Sequence, residues 1–153
     1  MNEFQTQAFT TGAMGQPGTI SRVNPAVLIP LIVEGKGVLA GTFGKRGTNK
    51  EKQVTKLAAT DEETDGLIVF QGLQPALAGI ANSMILNEGQ EVGLLEKGFA
   101  YIVSTTATSF GDAVFYNPAT GNIATGTGAA GFDTGWVVET GGAAGQVSEI
   151  KKI

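Results

Sequence analysis

The chain has neither cysteine nor histidine among its 153 residues. Without cysteine, a disulfide framework and thiolate chemistry are both excluded. Without histidine, the chain lacks the commonest general base near neutral pH and the usual ligand of zinc, copper and non-haem iron. A Ser-His-Asp triad cannot be built from this composition. We therefore expect a protein that is not an enzyme, with no catalytic residues, no metal site and no cofactor.

Charged residues are scarce, at 16% of the chain, whereas hydrophobic residues make up 42%, which is a globular rather than a disordered composition. The formal net charge of −4 argues against nucleic acid as a partner, because phosphate-binding surfaces are basic. The longest apolar run, residues 26–33, contains Pro30 and is far shorter than the ~20 residues of a membrane helix. The N-terminus shows no signal-peptide pattern. We expect a protein made in the cytoplasm, with no membrane partner.

Glycine and threonine are abundant, with 23 Gly and 17 Thr. Together they indicate many turns between short strands, and apolar alternation recurs at a spacing typical of sandwiches and barrels. The sequence predicts an all-β fold: an antiparallel β-sandwich, a jelly-roll-like fold or a small barrel, with Gly-rich loops.

The first residues differ in character from the rest. Residues 1–24 are rich in Gln, Thr and Gly and show little periodicity, so we expect an extended N-terminal arm followed by a single β domain over residues 25–153. Two aromatic residues favour an arm that docks on another protein over a frayed terminus. The candidate contact residues, spaced as anchors of an extended strand, are Phe4, Phe9, Met14 and Ile20.

Several shorter segments are assigned from their patterns. Residues 53–58 and 66–72 predict strands, and Pro30 places the strand at 26–33 at an edge or a bulge. Glu96-Lys97-Gly98 is interpreted as a turn between two strands, and residues 126–135 as a loose loop.

The clearest local signal is a hairpin in the stretch GDAVFYNPATGNIATG. Its turn is predicted from Asn117, Pro118 and Gly121: the asparagine bonds back to turn amides, the proline presets φ, and the glycine supplies a positive φ.

Three further features resemble known binding patterns, but none of them supports a binding site. Residues 126–131 match GxGxxG, but no helix start follows, so nucleotide binding is not indicated. The acids between Asp61 and Asp65 lack the spacing of a calcium loop and are interpreted as a solvated turn. Trp136 heads an apolar strand, where a core or interface role is favoured over stacking on a sugar.

Four segments follow one another in the second half of the chain: one with Val92, Leu94, Leu95 and Gly98, one from Gly111 to Gly121, one with Trp136, and a closing one with Ala144, Gly145 and Ile150. This order resembles the capsid cement (decoration) proteins of tailed bacteriophages. In that family a G-x-V-x-V-L-x-x-G segment precedes G-D-x-V-Y-Y-N-x-x-T-G, followed by a late Trp strand and a closing A-G-x-x-x-x-I strand. The front half fits more loosely.

The resemblance implies a structural virion protein that binds the outside of the phage head and cements the lattice. Its implied partners are the major capsid protein and further copies of itself, as a homodimer or homotrimer, and its implied location is the capsid exterior after synthesis in the bacterial host cytoplasm. The residues themselves leave one alternative open, a carbohydrate- or receptor-binding β module of a virion fibre or tail accessory protein.

Overall fold

All regular structure in the computed structural model, which describes residues 16–70, 85–126 and 129–153, is β-strand. No described segment is therefore a helix that could cross a membrane. The strands of these ranges are β1 (Ile20–Val33), β2 (Val38–Leu39), β3 (Phe43–Arg46), β4 (Gln53–Lys56), β5 (Gly66–Val69), β6 (Ile85–Leu86), β7 (Glu91–Val103), β8 (Ala113–Asn117), β9 (Asn122–Thr125), β10 (Phe132–Thr140) and β11 (Val147–Lys152).

Five of these strands form a closed ring of main-chain pairings. β1 pairs with β4, β4 with β3, β3 with β5 and β5 with β7, and β7 returns to β1. A ring with an odd number of strands cannot alternate direction all the way round, so one pair must be parallel. That pair is β1–β4, joined at Ile32↔Gln53 and Val33↔Val54. The all-β, barrel-like prediction is confirmed, although the large sheet is mixed rather than antiparallel throughout.

The 13-residue strand β7 belongs to both halves of the molecule. One of its edges pairs with β1, while the other pairs first with β5 at residues 93–95 and then with β11 at residues 98–103. The change of partner falls at Gly98, whose φ is 136°. The prediction of a turn at Glu96-Lys97-Gly98 is therefore wrong, because β7 continues through this glycine.

The second half of the molecule continues from β7 through β11, β10, β8 and β9. It curls back on itself, since Thr105 N donates to Ile123 O at 2.8 Å and Thr125 N donates to Thr106 Oγ1 at 2.9 Å. β10 starts at Phe132, so the loose loop expected over residues 126–135 is wrong for its last four residues. Gly135, with φ of 82°, lies at the irregularity that lets this strand stay paired with β8.

Two hydrophobic cores result from this arrangement. The ring core includes Leu31, Val33, Val54, Ile68, Val92 and Leu94. The second core includes Phe43, Leu67, Leu95, Tyr116, Trp136, Val138 and Ile150. β5 lies between the two cores, and each of its four residues is buried. A strand that is covered on both faces has apolar residues at successive positions. For this reason residues 67–69 do not alternate between apolar and polar side chains.

The start of the β structure differs from the expected boundary. β1 begins at Ile20, so residues 20–24, which the sequence pattern places in the arm, lie in the sheet. The chain before β1 is also fixed, since Gly18 N donates to Tyr101 O at 3.0 Å and Phe70 N donates to Gly18 O at 2.8 Å. These long-range bonds are not visible in the local pattern, which is polar and Gly-rich at this point.

Candidate functional site

The acidic turn between β4 and β5 serves the fold. Asp61 Oδ2 accepts hydrogen bonds from Lys45 Nζ and Ala58 N, both at 2.7 Å, and Lys45 holds the pKa of Asp61 below its usual range. Asp65 Oδ2 accepts a bond from Arg46 N at 2.9 Å. Within the part of the chain that the structure describes, no group of three or more acidic side chains is placed to hold a metal ion. These contacts fit the solvated-turn interpretation.

The hairpin residues singled out in the sequence lie together between β8 and β9. Asn117 O accepts bonds from Thr120 N and Gly121 N at 3.2 and 2.7 Å, and its side-chain Oδ1 accepts one from Ala119 N at 3.1 Å. Gly121 has a φ of 76°. Pro118 is the first residue of the turn. All three residues organise the backbone and expose no reactive group.

The structure describes one of the four contact residues predicted from the sequence, Ile20. Phe4, Phe9 and Met14 lie outside the described residues. Ile20 opens β1 opposite Ala100, is partly buried and packs against the second core. Two residues before Ile20, Gly18 is held by main-chain hydrogen bonds to Tyr101 and Phe70.

A polar cluster that the sequence did not reveal ties the start of β1 to β11, with β7 between them. Arg22 Nη2 lies 3.2 Å from Glu149 Oε1, and its guanidinium carbon sits 4.4 Å from the centroid of the Phe99 ring. Ser21 and Thr140 also donate to the Glu149 carboxylate. Glu149 is only 6% exposed, so this carboxylate is buried and has several hydrogen-bond donors. Such an arrangement fixes the geometry of the three strands.

These contacts predict an acid-sensitive part of the stability. Burial raises the pKa of Glu149, but the hydrogen bonds from Ser21, Arg22 and Thr140 and the charge of Arg22 outweigh it, so the pKa lies below its usual 4.5. A carboxylate with a depressed folded-state pKa stabilises the fold above the unfolded-state value, and this stabilisation is lost as the pH falls through the folded-state value.

We therefore expect Glu149→Gln to be less stable than the wild type at neutral pH, and the difference in unfolding free energy to shrink as the pH falls below 4.5. Urea unfolding between about pH 7 and about pH 3 measures that difference. A difference that stays constant over this range would show that the Glu149 charge contributes nothing.

Seven large apolar side chains are exposed in the described ranges, among them three on β1 and one in the loop before β8. On β1, Val27, Leu28 and Ile32 are 45%, 37% and 43% exposed. In the loop before β8, Phe110 is 72% exposed, and Lys151 Nζ lies 5.5 Å from its ring centroid. Apolar residues exposed in a group mark contact sites for other proteins. The β1 group falls in the apolar run noted in the sequence, whereas Phe110 has no periodic context that could have drawn attention to it.

An all-β body with two cores and a group of exposed apolar side chains presents the kind of surface that other proteins bind. Residues 4–152 match the family model described as structural cement protein (E217 gp24/Pam3 gp6), and the chain belongs to this family. It is thus a structural protein of the bacteriophage virion that associates with capsid proteins and stabilises the capsid.

A solved structure agrees with this fold. A chain in the capsid of Myoviridae phage XM1 has a TM-score of 0.64 and 18% sequence identity to this protein, covering 89% of this chain and 88% of that chain. A search of curated protein sequences found no match.

Proposed function

We propose that this protein binds the outer surface of the phage head as a homo-oligomer and strengthens the lattice of major capsid proteins through non-covalent contacts alone. The family match over residues 4–152 is the observation that carries this proposal. Many weak contacts on a symmetric lattice add through multivalency, so no single contact needs to be strong. The role requires neither catalysis nor a cofactor.

The N-terminal residues are proposed to form part of the contact between this protein and the phage head. The family match begins at residue 4, upstream of the described fold, so the segment is part of what the family shares. An extended segment can add to the sheet edge of a neighbour, where side-chain pockets give specificity. In this proposal Phe4, Phe9 and Met14 contact a capsid subunit or an adjacent copy, and Ile20 anchors the base of the segment on the second core.

The carbohydrate-binding alternative is less well supported. Sugar recognition usually stacks an exposed aromatic ring against the ligand, and the exposed aromatic residue in the described ranges is Phe110, which has Lys151 beside its ring. Trp136 and Tyr116 are 1% and 5% exposed. Both rings pack in the second core.

The composition further supports synthesis in the host cytoplasm, since the absence of cysteine suits a reducing compartment, and the net charge of −4 disfavours nucleic acid as a partner.

Deleting residues 1–15 tests the proposal. We expect the truncated protein to keep its β circular-dichroism spectrum and its melting temperature, because the bonds of Gly18 to Tyr101 and Phe70 lie beyond the deletion. We expect its binding to heads that lack the protein to weaken by at least ~10-fold, because a second contact on the same chain binds intramolecularly and multiplies the overall affinity. Co-sedimentation with purified heads measures this binding.

A full-length variant with Phe4→Ala and Phe9→Ala is the matched control, because it keeps the chain length. We expect it to reproduce most of the loss in head binding. If the truncated protein binds heads as well as the full-length protein, the segment takes no part in attachment. If the full-length protein itself does not bind, the assignment to the head exterior is wrong.

A further inference from the structure

A row of side chains crosses the outer side of four strands in the second half of the molecule. Phe99 on β7 lies opposite Lys151 on β11, Lys151 lies opposite Val137 on β10, and Val137 lies opposite Ala113 on β8. Residues paired in this way point to the same side of the sheet. Their neighbours along the strands face the second core, and these are Ala100, Ile150, Trp136, Val138 and Val114.

Two phenylalanine residues enlarge this row. Phe115 follows Ala113 by two positions on β8, so it points to the same side and is half-buried. Phe110 is 72% exposed, and its ring centroid lies 5.5 Å from Lys151 Nζ. The outward positions of an antiparallel sheet that faces water are normally polar, whereas here they are apolar. This surface, which we call the outer face and define as Phe110, Ala113, Phe115 and Val137, therefore has the composition of a contact site.

The cations beside the outer face are already paired. Lys151 Nζ lies 2.7 Å from Glu139 Oε2, and Arg22 Nη2 lies 3.2 Å from Glu149 Oε1. Neither cation is left to attract an acidic partner. Asp133 is exposed on the same side of β10, which further disfavours an acidic partner. The outer face thus suits a partner segment with apolar side chains and few charges.

The first residues of the chain have this composition. Residues 1–15 contain one charged residue, Glu3, and three large apolar residues that are spaced along the segment, Phe4, Phe9 and Met14. Fully extended, a segment of this length spans up to about 50 Å. Four neighbouring strands span only about 15 Å. The segment is therefore long enough to reach beyond its own copy and cover the outer face of another.

The described chain also starts beside the sheet that carries the outer face. Gly18 N donates to Tyr101 O, and Tyr101 N donates to Thr19 O, both at 3.0 Å. Tyr101 follows Phe99 by two positions on β7, so both side chains point to the outer side of this sheet. A second copy that lies against this part of β7 brings its own outer face within reach of residues 1–15.

We propose that residues 1–15 of one copy bind the outer face of an adjacent copy, where their phenylalanine side chains pack beside Phe110. The inference rests on the proposed function, in which copies lie side by side on the head. It selects the adjacent copy, and not a capsid subunit, as the protein that receives the segment. Each copy carries both the segment and the face, so the exchange is mutual in a twofold pair and continues around a ring in a larger oligomer.

Full-length variants test both sides of this contact. Phe110→Asp removes the exposed ring from the outer face, and Phe4→Ala/Phe9→Ala removes the two rings from the segment. We expect each variant to weaken self-association at least ~10-fold, because a buried phenylalanine side chain contributes that factor or more. Ile85→Asp is the matched control, since Ile85 is 65% exposed on β6, outside the outer face, and we expect it to associate like the wild type. Sedimentation velocity over a concentration series measures the association, and the melting temperature checks that each variant is folded.

An equimolar mixture of the two variants separates an exchange from two unrelated contacts. The Phe110→Asp copy keeps an intact segment, and the Phe4→Ala/Phe9→Ala copy keeps an intact outer face. One complete contact therefore forms between unlike copies, whereas none forms between like copies. We expect the mixture to associate more tightly than either variant alone, with one variant fluorescently labelled to detect the mixed species. A mixture that associates no better than its components would overturn the inference.

A photo-crosslinker locates the segment directly. Benzoylphenylalanine replaces Phe9 in the full-length chain, and light and isotope-labelled copies are mixed before irradiation. We expect mass spectrometry to find cross-links between light and heavy copies within residues 110–115 or at Val137. Cross-links confined to one copy, or cross-links to the exposed side chains of β1, would refute the exchange.

Head binding is measured separately by co-sedimentation with the same proteins. A wild type that stays monomeric and still binds heads would refute the exchange and leave the proposed attachment standing. A wild type that exchanges its segments but does not bind heads would refute the proposed function and leave the exchange standing.

Discussion

Replacing Gly131 by alanine is expected to destabilise the fold strongly, although the change adds only one methyl group. Gly131 has a φ of 105°, in the region that residues with a side chain rarely adopt. An added Cβ would overlap the carbonyl group of Tyr116 and lie 2.7 Å from Asn117 N. Both groups are backbone of β8, next to the hairpin turn, so neither can rotate away. The residue is glycine because the chain entering β10 passes β8 at this close distance.

We expect Gly131→Ala to lower the free energy of unfolding by about 3 kcal/mol, from backbone strain and overpacking together. For a chain of this size that corresponds to a fall of roughly 10 °C in melting temperature. Gly121→Ala is the matched control, because Gly121 also has a positive φ of 76° but nothing within 4 Å of an added Cβ. Its cost is expected to be only about 1 kcal/mol. Equal effects of the two variants would contradict the close approach of the two strands.

The second large effect is expected at Trp136. Its side chain is 1% exposed in the second core, with its ring centroid 6.1 Å from that of Phe43 in an edge-on geometry. Truncation to alanine leaves a large cavity among Phe43, Tyr116 and Ile150, which lie in the same core. We therefore expect Trp136→Ala to cost about 3–5 kcal/mol in unfolding free energy. Urea unfolding followed by circular dichroism is the suitable measurement, since Trp136 is the only tryptophan.

Trp136→Phe separates the packing of the ring from the rest of the side chain. The indole N–H of Trp136 is buried and has no hydrogen-bond partner among the described residues, so removing it breaks no bond. We expect this variant to lose less than half as much stability as the alanine variant, because most of the aromatic contact remains. If phenylalanine costs as much as alanine, the indole N–H has a role that the packing does not explain.

Local features of the fold could be predicted wherever one short segment carries the whole signal. The hairpin of β8 and β9 follows from Asn117, Pro118 and Gly121, whose conformational preferences act within five residues. β5 follows from an apolar run bounded by glycine, and β4 from alternation. In each case the sequence signal and the structural element have nearly the same length.

Features that depend on partners far along the chain could not be predicted. Gly98 carries the sequence signal of a turn, but β11 and β1 pair with the residues around it and keep the strand continuous. Residues 132–135 look like loop, yet pairing with β8 makes them a strand. The Arg22–Glu149 contact joins the two ends of the chain, so no local pattern encodes it. For the candidate site, the sequence indicated the apolar run of β1 but not the exposure of Phe110.

The closed ring also sets the order in which the chain can assemble during synthesis. β1 is made early, but apart from its short parallel contact with β4 its main-chain partner is β7, from the second half of the chain. The ribosome has therefore released β1 to β5 well before the ring can close, and apolar side chains of the ring core stay uncovered during that interval. Contacts between distant segments slow folding, since the loop between them must be closed first. Pro30 on β1 has no N–H to donate and hinders strand addition, which protects the nascent chain during the same interval, when its unpaired edge could pair with another copy.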